Sequence, residues 1–157
     1  MGVSFTSRLF KEIREKRGLC YHIRSSSNNY EEVGSWDIYA GVATEKVTEA
    51  TQAILGELGK AADKGVTDDE LTVAKKRLKT LLSFRSEDPE FFTEWYGRQE
   101  VYGQELLTVH NYIKRIEYVT KDDINQLSKK YFRTETLNMA LVWNKPHDEK
   151  LERLLRL

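Results

Sequence analysis

The histidines are the first candidates for chemistry, because a hydrolytic zinc site needs at least three protein ligands and keeps one position open for water. His22, His110 and His147 stand far apart along the chain. Neither His-x-x-Glu-His nor His-Glu-x-x-His occurs, so the helical pair of imidazoles with an adjacent general base is absent from the sequence. The sequence therefore predicts no metal site of its own.

Motifs for nucleophilic catalysis and phosphate binding are also absent. No serine lies in a Gly-x-Ser-x-Gly elbow, and no glycine-rich loop precedes a helix. The acidic pairs Asp68-Asp69 and Asp122-Asp123 stand at predicted helix starts, where carboxylates complement the helix dipole. We interpret both pairs as caps.

What remains is the junction of a predicted helix and a predicted strand. Arg14 stands in the last turn of the helix, and Tyr21 follows in the strand. Residue chemistry alone favours structural roles, with Arg14 capping the helix and Tyr21 packed in the sheet with a hydrated hydroxyl. Cys20 is interpreted as a small apolar filler of the strand.

Capping and periodicity predict a helix over residues 7–17 followed by a hairpin. Thr6 and Ser7 offer N-cap oxygens, and Gly18 stands where a C′ glycine would. The apolar face of this helix consists of Leu9, Phe10 and Ile13. Two alternating segments follow, with Leu19, Tyr21 and Ile23 on one face of the first, and Trp36, Ile38, Ala40 and Val42 on one face of the second. The polar stretch 25–34 is predicted to link them as antiparallel strands.

Helices dominate the rest of the sequence. They are predicted from Thr44 to Gly65, after the capping box Thr67–Glu70, after Asp88-Pro89, around Tyr112 to Ile116, after Thr120, and over 149–157. Residues 137–143 alternate as a strand would. The third of these helices carries the aromatic residues Phe91, Phe92, Trp95, Tyr96 and Tyr102, which we interpret as packing. The order predicts an α+β fold with a mainly antiparallel sheet and helices on one face.

Composition sets the broad class of the protein. The 157 residues are 39% hydrophobic and 32% charged, which predicts one soluble globular domain. The 25 basic and 25 acidic residues cancel, which disfavours a nucleic-acid partner. No apolar run approaches the roughly 18 residues of a membrane span, and no secretory signal is visible. We therefore expect no membrane partner and a cytoplasmic location.

The helix–strand junction resembles a known family. Residues 7–21, Ser-Arg-Leu-Phe-x-Glu-x-Arg-Glu-Lys-Arg-Gly-Leu-x-Tyr, are similar to the signature stretch in the C-terminal halves of pitrilysin/insulinase-type metallopeptidases, which include the mitochondrial processing peptidase and bacterial processing proteases. Further similar stretches are residues 38–41, 65–71 with Ala74-Lys75, 119–124, 130–132 and 137–138. The resemblance covers residues 5–143.

The resemblance implies a C-terminal, zinc-free substrate-binding domain over residues 1–143 and a tail helix over 144–157. In this family zinc is bound by a different, N-terminal domain, so the chain is expected to be inactive alone. The matching arginine and tyrosine reach the substrate backbone, which implies that Arg14 donates to peptide carbonyls. It likewise implies that Tyr21 donates to the oxygen that becomes negative when zinc-bound water attacks. Arg17 is interpreted as complementing the helix dipole.

One departure from the family affects the expected fold. The family's domain opens with a strand and a helix before the Ser-Arg-Leu-Phe segment, and neither precedes it here. We therefore expect a fold without its first strand and helix, and an exposed sheet edge through which copies of the chain can associate.

Three functions remain open at this point. The first is a substrate-positioning domain of a zinc endopeptidase that works with a zinc-bearing domain or subunit and a peptide substrate. The second is a non-catalytic core or partner subunit of the same family that binds protein without hydrolysis. The third is a helix-rich interaction module that uses the aromatic face between Phe91 and Tyr102.

Overall fold

A computed structural model describes residues 1–2, 4–146 and 149–157 of the protein. These residues form two compact units, Met1–Gly65 with Asn125–Leu157, and Val66–Ile124. The predicted α+β class is confirmed, because helices occur together with an antiparallel hairpin. The predicted division into a domain over 1–143 and a tail over 144–157 is not tested by these units and stays a prediction. His147 lies outside the described residues.

The longer elements are the π-helix Phe10–Glu15, β1 (Cys20–Asn29), β2 (Gly34–Val42), α1 (Val47–Lys64), α2 (Asp68–Arg85), α3 (Pro89–Val101), α4 (Val109–Tyr118), α5 (Lys121–Tyr131) and α6 (Glu149–Leu154). Short 3₁₀ turns lie at Thr44–Lys46 and Thr134–Thr136. Every predicted helix is therefore present.

The opening helix is wider than predicted. The N–H of Lys16 donates to the carbonyl of Lys11, five residues back, which is the hydrogen bond of a π-helix. Gly18 follows with a φ of +58°, and its N–H donates to Arg14, so the predicted glycine C-cap is confirmed. The predicted N-cap by Ser7 is wrong, because its buried hydroxyl has no hydrogen-bond partner among the described residues.

The hairpin is longer than predicted. Ladder pairs continue from Ile23–Ala40 to Asn29–Gly34, and the N–H of Tyr30 donates to Val33 across the turn. The predicted linker over 25–34 is therefore wrong in extent, because its serines and asparagines lie in paired strands. Side chains of this kind are tolerated there since the distal half of the hairpin is exposed.

The first unit has one dense apolar core. Its buried residues lie in the π-helix, β1 and α1 and directly before the first two of these elements, and they are Leu9, Phe10, Ile13, Leu19, Cys20, Ile23, Ala50 and Ala53. Leu9 and Ile13 are fully buried. Packing in this core therefore holds the junction between the π-helix and β1 in place.

The predicted third strand over residues 137–143 is wrong. Among the described residues the sheet has only the two strands of the hairpin, and Val142 is fully exposed. An extended segment becomes a strand only when its backbone groups pair with a neighbour. Alternating apolar residues in a sequence indicate which side chains would share one face of a strand, but they do not indicate whether a neighbouring strand is present. The predicted tail helix is confirmed over Glu149–Leu154.

The second unit is built from α2, α3 and α4. Thr67 and Glu70 form the predicted capping box at the start of α2, with the Thr67 N–H 2.9 Å from the Glu70 carboxylate. Asp88 caps α3 ahead of Pro89, also as predicted. The buried core of this unit consists of Leu82, Phe91 and Ile116.

The aromatic residues of α3 pack within the second unit. Phe91 is buried, and its ring lies 5.4 Å from that of Trp95. Trp95 contacts Tyr112 edge-on at 5.2 Å and donates its indole N–H to the carbonyl of Leu107. The interpretation of these aromatics as packing is confirmed for Phe91 and Trp95. This packing weakens the hypothesis of a helix-rich interaction module, because Phe91 and Trp95 belong to the face that such a module would use.

None of the helices described by the structure is long and apolar enough to cross a membrane.

Candidate functional site

Tyr21 occupies a β-bulge. Cys20 pairs with Val42 and His22 pairs with Gly41, so Tyr21 is an extra residue in β1 without a partner in β2. The bulge shifts the buried face of the strand to Cys20, Ile23 and Ser25. The sequence had placed Tyr21 on the same face as Leu19 and Ile23, and this is wrong because one inserted residue reverses the alternation.

The phenol of Tyr21 is presented to solvent. The residue is 76% exposed, and none of the described side chains hydrogen-bonds its hydroxyl. A tyrosine packed into the sheet would bury its ring, so the structural role considered for this residue does not describe the observed conformation. The hydroxyl is free to donate one hydrogen bond to a ligand.

Arg14 lies on the last turn of the π-helix and precedes the bulge residue Tyr21 by seven positions in the sequence. Its guanidinium carbon is 4.8 Å from the centroid of the Phe10 ring, within the range of a cation–π contact. Phe10 is itself buried and is contacted edge-on by Phe5 at 5.0 Å. A buried ring thus orients the exposed guanidinium, whose N–H donors stay available.

Cys20 directly precedes Tyr21 and is buried. Burial raises the pKa of its thiol, and the nearby charge of Arg14 opposes that shift. Because the thiolate is the reactive form, a raised pKa favours the interpretation of Cys20 as a core residue.

A group that the sequence did not single out lies on the exposed face of the hairpin. Arg24 pairs directly with Tyr39, and its guanidinium carbon is 5.6 Å from the Tyr39 ring centroid. The ring of His22 lies 5.9 Å from the same ring. Cross-strand pairing, once the bulge is known, is the signal that brings these residues together.

No group of three or more histidine, cysteine, aspartate or glutamate side chains that could hold a metal ion occurs in residues 1–2, 4–146 and 149–157. His22 and His110 belong to different units. The described part of the chain therefore offers no set of side chains that fits a zinc ion.

Two shallow grooves lie in the second unit, along α2. One is lined largely by apolar groups of Val73, Leu81 and Phe84, with Lys76 and Arg77 at its edge. The other includes Lys79 and Glu87. Neither groove contains Arg14 or Tyr21, which belong to the first unit.

Known proteins are similar to this chain in sequence and in fold. Residues 1–78 match the family model described as the peptidase M16 inactive domain. A protein of Streptomyces coelicolor named as an uncharacterized zinc protease is 32% identical over 129 residues, which cover 82% of this chain and 28% of that protein. A Bacillus subtilis protein with the same description is 28% identical over 142 residues, covering 90% of this chain and 34% of that one.

Solved structures agree with the sequence comparison. A conserved protein from Enterococcus faecalis V583 superimposes with a TM-score of 0.72 at 25% identity, over 82% of this chain and 30% of that one. A chain of complex III2 from Candida albicans has the same fold, with a TM-score of 0.69 at 20% identity, over 80% of this chain and 30% of that one.

The chain spans 28% and 34% of the length of the two curated relatives. Its matched residues 1–78 contain the whole helix–hairpin junction with Arg14 and Tyr21. The chain therefore belongs to the pitrilysin-type (M16) peptidase family and carries its inactive, zinc-free C-terminal domain.

Proposed function

We propose that this chain is the substrate-positioning domain of a zinc metalloendopeptidase. Another domain or subunit of the enzyme holds the zinc, which supplies activated water for attack on a peptide bond. The zinc-protease names of the relatives support this proposal. The observation that carries it is the bulge, which turns the Tyr21 phenol away from the core and leaves its hydroxyl unpaired.

In this proposal Arg14 and Tyr21 have distinct tasks. A phenol O–H aimed out of a rigid hairpin can donate to a peptide oxygen as negative charge develops on it, without being reoriented during the reaction. A guanidinium supported by the buried Phe10 ring offers several N–H donors in one plane to substrate carbonyls. Both tasks are hydrogen-bond donation, and neither requires a metal ligand in this chain.

The dense core explains how Arg14 and Tyr21 can be held in one position. Arg14 follows the fully buried Ile13, and Tyr21 follows the buried Cys20. Each functional side chain is therefore adjacent in sequence to a residue that is fixed by packing. Sites built on such elements hold their geometry better than sites on loops.

The test is peptide cleavage by the 157-residue chain combined with the zinc-bearing domain of its parent enzyme. Arg14→Ala and Tyr21→Phe are each expected to lower kcat/KM by about ten- to a thousandfold, as loss of a transition-state donor does. Tyr21→Phe should lower mainly kcat, because the phenol acts on charge that develops during the reaction.

Two variants that remove the same side-chain groups at other positions serve as matched controls. Arg17→Ala removes a neighbouring exposed guanidinium, and Tyr30→Phe removes a phenol that is 69% exposed at the hairpin turn. Both controls should leave cleavage unchanged. If Arg14→Ala and Tyr21→Phe behave like the controls, the proposed roles are wrong. If binding of peptide persists while no variant and no wild-type mixture cleaves it, the non-catalytic partner subunit is the better description.

The cytoplasmic location and association through a sheet edge stay predictions.

A further inference from the structure

The exposed face of the hairpin carries positive charge and aromatic rings beside the candidate site. Its cross-strand pairs, beyond the bulge, are His22 with Gly41, Arg24 with Tyr39, and Ser26 with Asp37. Tyr39 is 61% exposed although it contacts both His22 and Arg24. His22 and Arg24 thus both contact the ring of Tyr39, and all three side chains stay exposed.

Arg24 has no carboxylate partner among the described residues. The nearest acidic residue along this face is Asp37, in the next pair towards the turn. Its carboxylate accepts hydrogen bonds from Asn28 and from the hydroxyl of Ser35, the latter at 3.1 Å. Asp37 therefore bonds to Asn28 and Ser35 and not to Arg24, and the guanidinium of Arg24 keeps its N–H donors for a ligand.

The contact with Tyr39 holds the Arg24 guanidinium at the exposed face of the hairpin. A guanidinium that lies over a ring directs its N–H groups outward in its own plane, away from the ring centroid. This arrangement matches a carboxylate, which can accept two parallel N–H bonds. The exposed edges of Tyr39 and His22 offer apolar contact to the methylene groups that carry such a carboxylate.

The spacing relates this face to Tyr21. Arg24 follows Tyr21 by three residues in β1, which is about 10 Å along a strand. An extended peptide lying beside the strand covers that distance in roughly three residues. A side chain bound at Arg24 therefore belongs to a substrate residue roughly three positions from the residue whose carbonyl meets Tyr21.

We infer that Arg24, supported by Tyr39 and His22, forms a specificity subsite that selects an acidic side chain of the peptide substrate. This inference rests on the proposed function for the identity of the ligand as a substrate. The binding event itself is independent of cleavage, so the two proposals can fail separately.

The first test is binding to the 157-residue chain, followed by nuclear magnetic resonance of backbone amides and arginine side chains. The probes are two ten-residue Ala/Ser/Thr peptides with blocked ends, identical except for one central Glu or Gln. Wild-type protein should bind the Glu peptide about three- to tenfold more tightly, the range of an exposed charge-assisted contact. The largest shift changes should fall on Arg24 and Tyr39.

Variants at Arg24 decide which residue makes the contact. Arg24→Met keeps most of the stem that covers Tyr39 and should abolish the preference for Glu over Gln. Arg24→Glu should instead favour a third peptide with a central Lys. Arg17→Met, a matched loss of an exposed guanidinium, should leave the preference intact. A preference that survives Arg24→Met, or an equal loss in Arg17→Met, overturns the inference.

A fourth probe separates a side-chain carboxylate from a chain-terminal one. It is the Gln peptide with a free C-terminal carboxylate, and it should bind no better than the blocked Gln peptide. If it binds as tightly as the Glu peptide, this face of the hairpin binds peptide C-termini and the inference is wrong.

The second test is cleavage with the zinc-bearing domain present. Moving Glu along a peptide should raise kcat/KM about three- to tenfold at one position, and Arg24→Met should remove that maximum alone. If Tyr21→Phe leaves turnover unchanged while the Glu preference in binding persists, the proposed function fails and the carboxylate site stands. If Tyr21→Phe slows turnover but no position of Glu matters, the proposed function stands and the subsite is wrong.

Discussion

The two units of this protein are stabilised in different ways. In the first unit, the π-helix, β1 and α1 share a core in which Leu9 and Ile13 are fully buried. In the second unit, the buried core consists of Leu82, Phe91 and Ile116, none of which is fully buried. The candidate residues lie on the better packed unit, where fixed neighbours hold exposed side chains in one geometry.

The second unit relies more on polar contacts at helix ends and between helices. Lys79 pairs with Glu117 at 2.7 Å, and Lys121 pairs with Asp68 at 2.9 Å. Both pairs are exposed, so each contributes little to stability and is weakened by salt. The difference between the units indicates that packing fixes the candidate residues, and we expect salt and pH to affect the second unit more than the first.

The largest expected effect is that of Ile13→Ala. Removing this fully buried side chain should destabilise the first unit by about 2–5 kcal/mol, because it leaves a cavity under both the π-helix and the hairpin. Urea unfolding followed by circular dichroism measures the loss. Val33→Ala, at a position 70% exposed in the hairpin turn, is the control and should change stability little. Similar losses in the two variants would show that the core of the first unit does not dominate its stability.

Leu82→Ala should have a smaller effect, about 2 kcal/mol, the low end for a buried leucine. Leu82 is 8% exposed, and the cavity it leaves can be partly filled by water or by adjustment of the half-buried rings around it. Amide hydrogen exchange resolves the two units and should show faster exchange in α2, α3 and α4. Leu78→Ala, 46% exposed on the same helix, is the matched control. A loss in Leu82→Ala equal to that in Ile13→Ala would remove the contrast between the units.

Local signals in the sequence predicted much of this architecture. The capping box at Thr67 and Glu70, the Asp88-Pro89 helix start and the Gly18 C-cap all appear in the structure, because each depends on atoms within a few residues of chain. Because helix signals act over a few residues, the helices were predicted more reliably than the strands.

The errors arose where the outcome depends on distant partners. The alternation of residues 137–143 predicted a strand, but pairing requires a neighbouring strand that the described residues do not provide. The extra residue in β1 leaves Tyr21 exposed and Cys20 buried, the opposite of what the alternation predicted for these two residues, and nothing in the composition of this stretch marks the insertion. The pairing of Arg24 with Tyr39 was missed for the same reason, since it follows from the register.

The smallest expected effect concerns the cap of α5, in the second unit. The Asp123 carboxylate accepts hydrogen bonds from the N–H and the hydroxyl of Thr120, at 2.8 and 2.7 Å. The backbone hydrogen bond, followed by the hydroxyl bond, lowers the pKa of Asp123 below its ordinary value. A carboxylate with a lowered pKa stabilises the folded state above its unfolded pKa, near 4, and that contribution is lost as the pH falls through the folded pKa.

Carbon-detected titration of Asp123 should therefore give a midpoint below that of the unfolded chain in urea, and Thr120→Val should raise it by removing the hydroxyl donor. Because the group is exposed, Asp123→Asn should change stability less than Leu82→Ala at neutral pH. If Asp123 titrates as in the unfolded chain, the cap does not hold the carboxylate, and the second unit owes less to its helix ends than the comparison of the units requires.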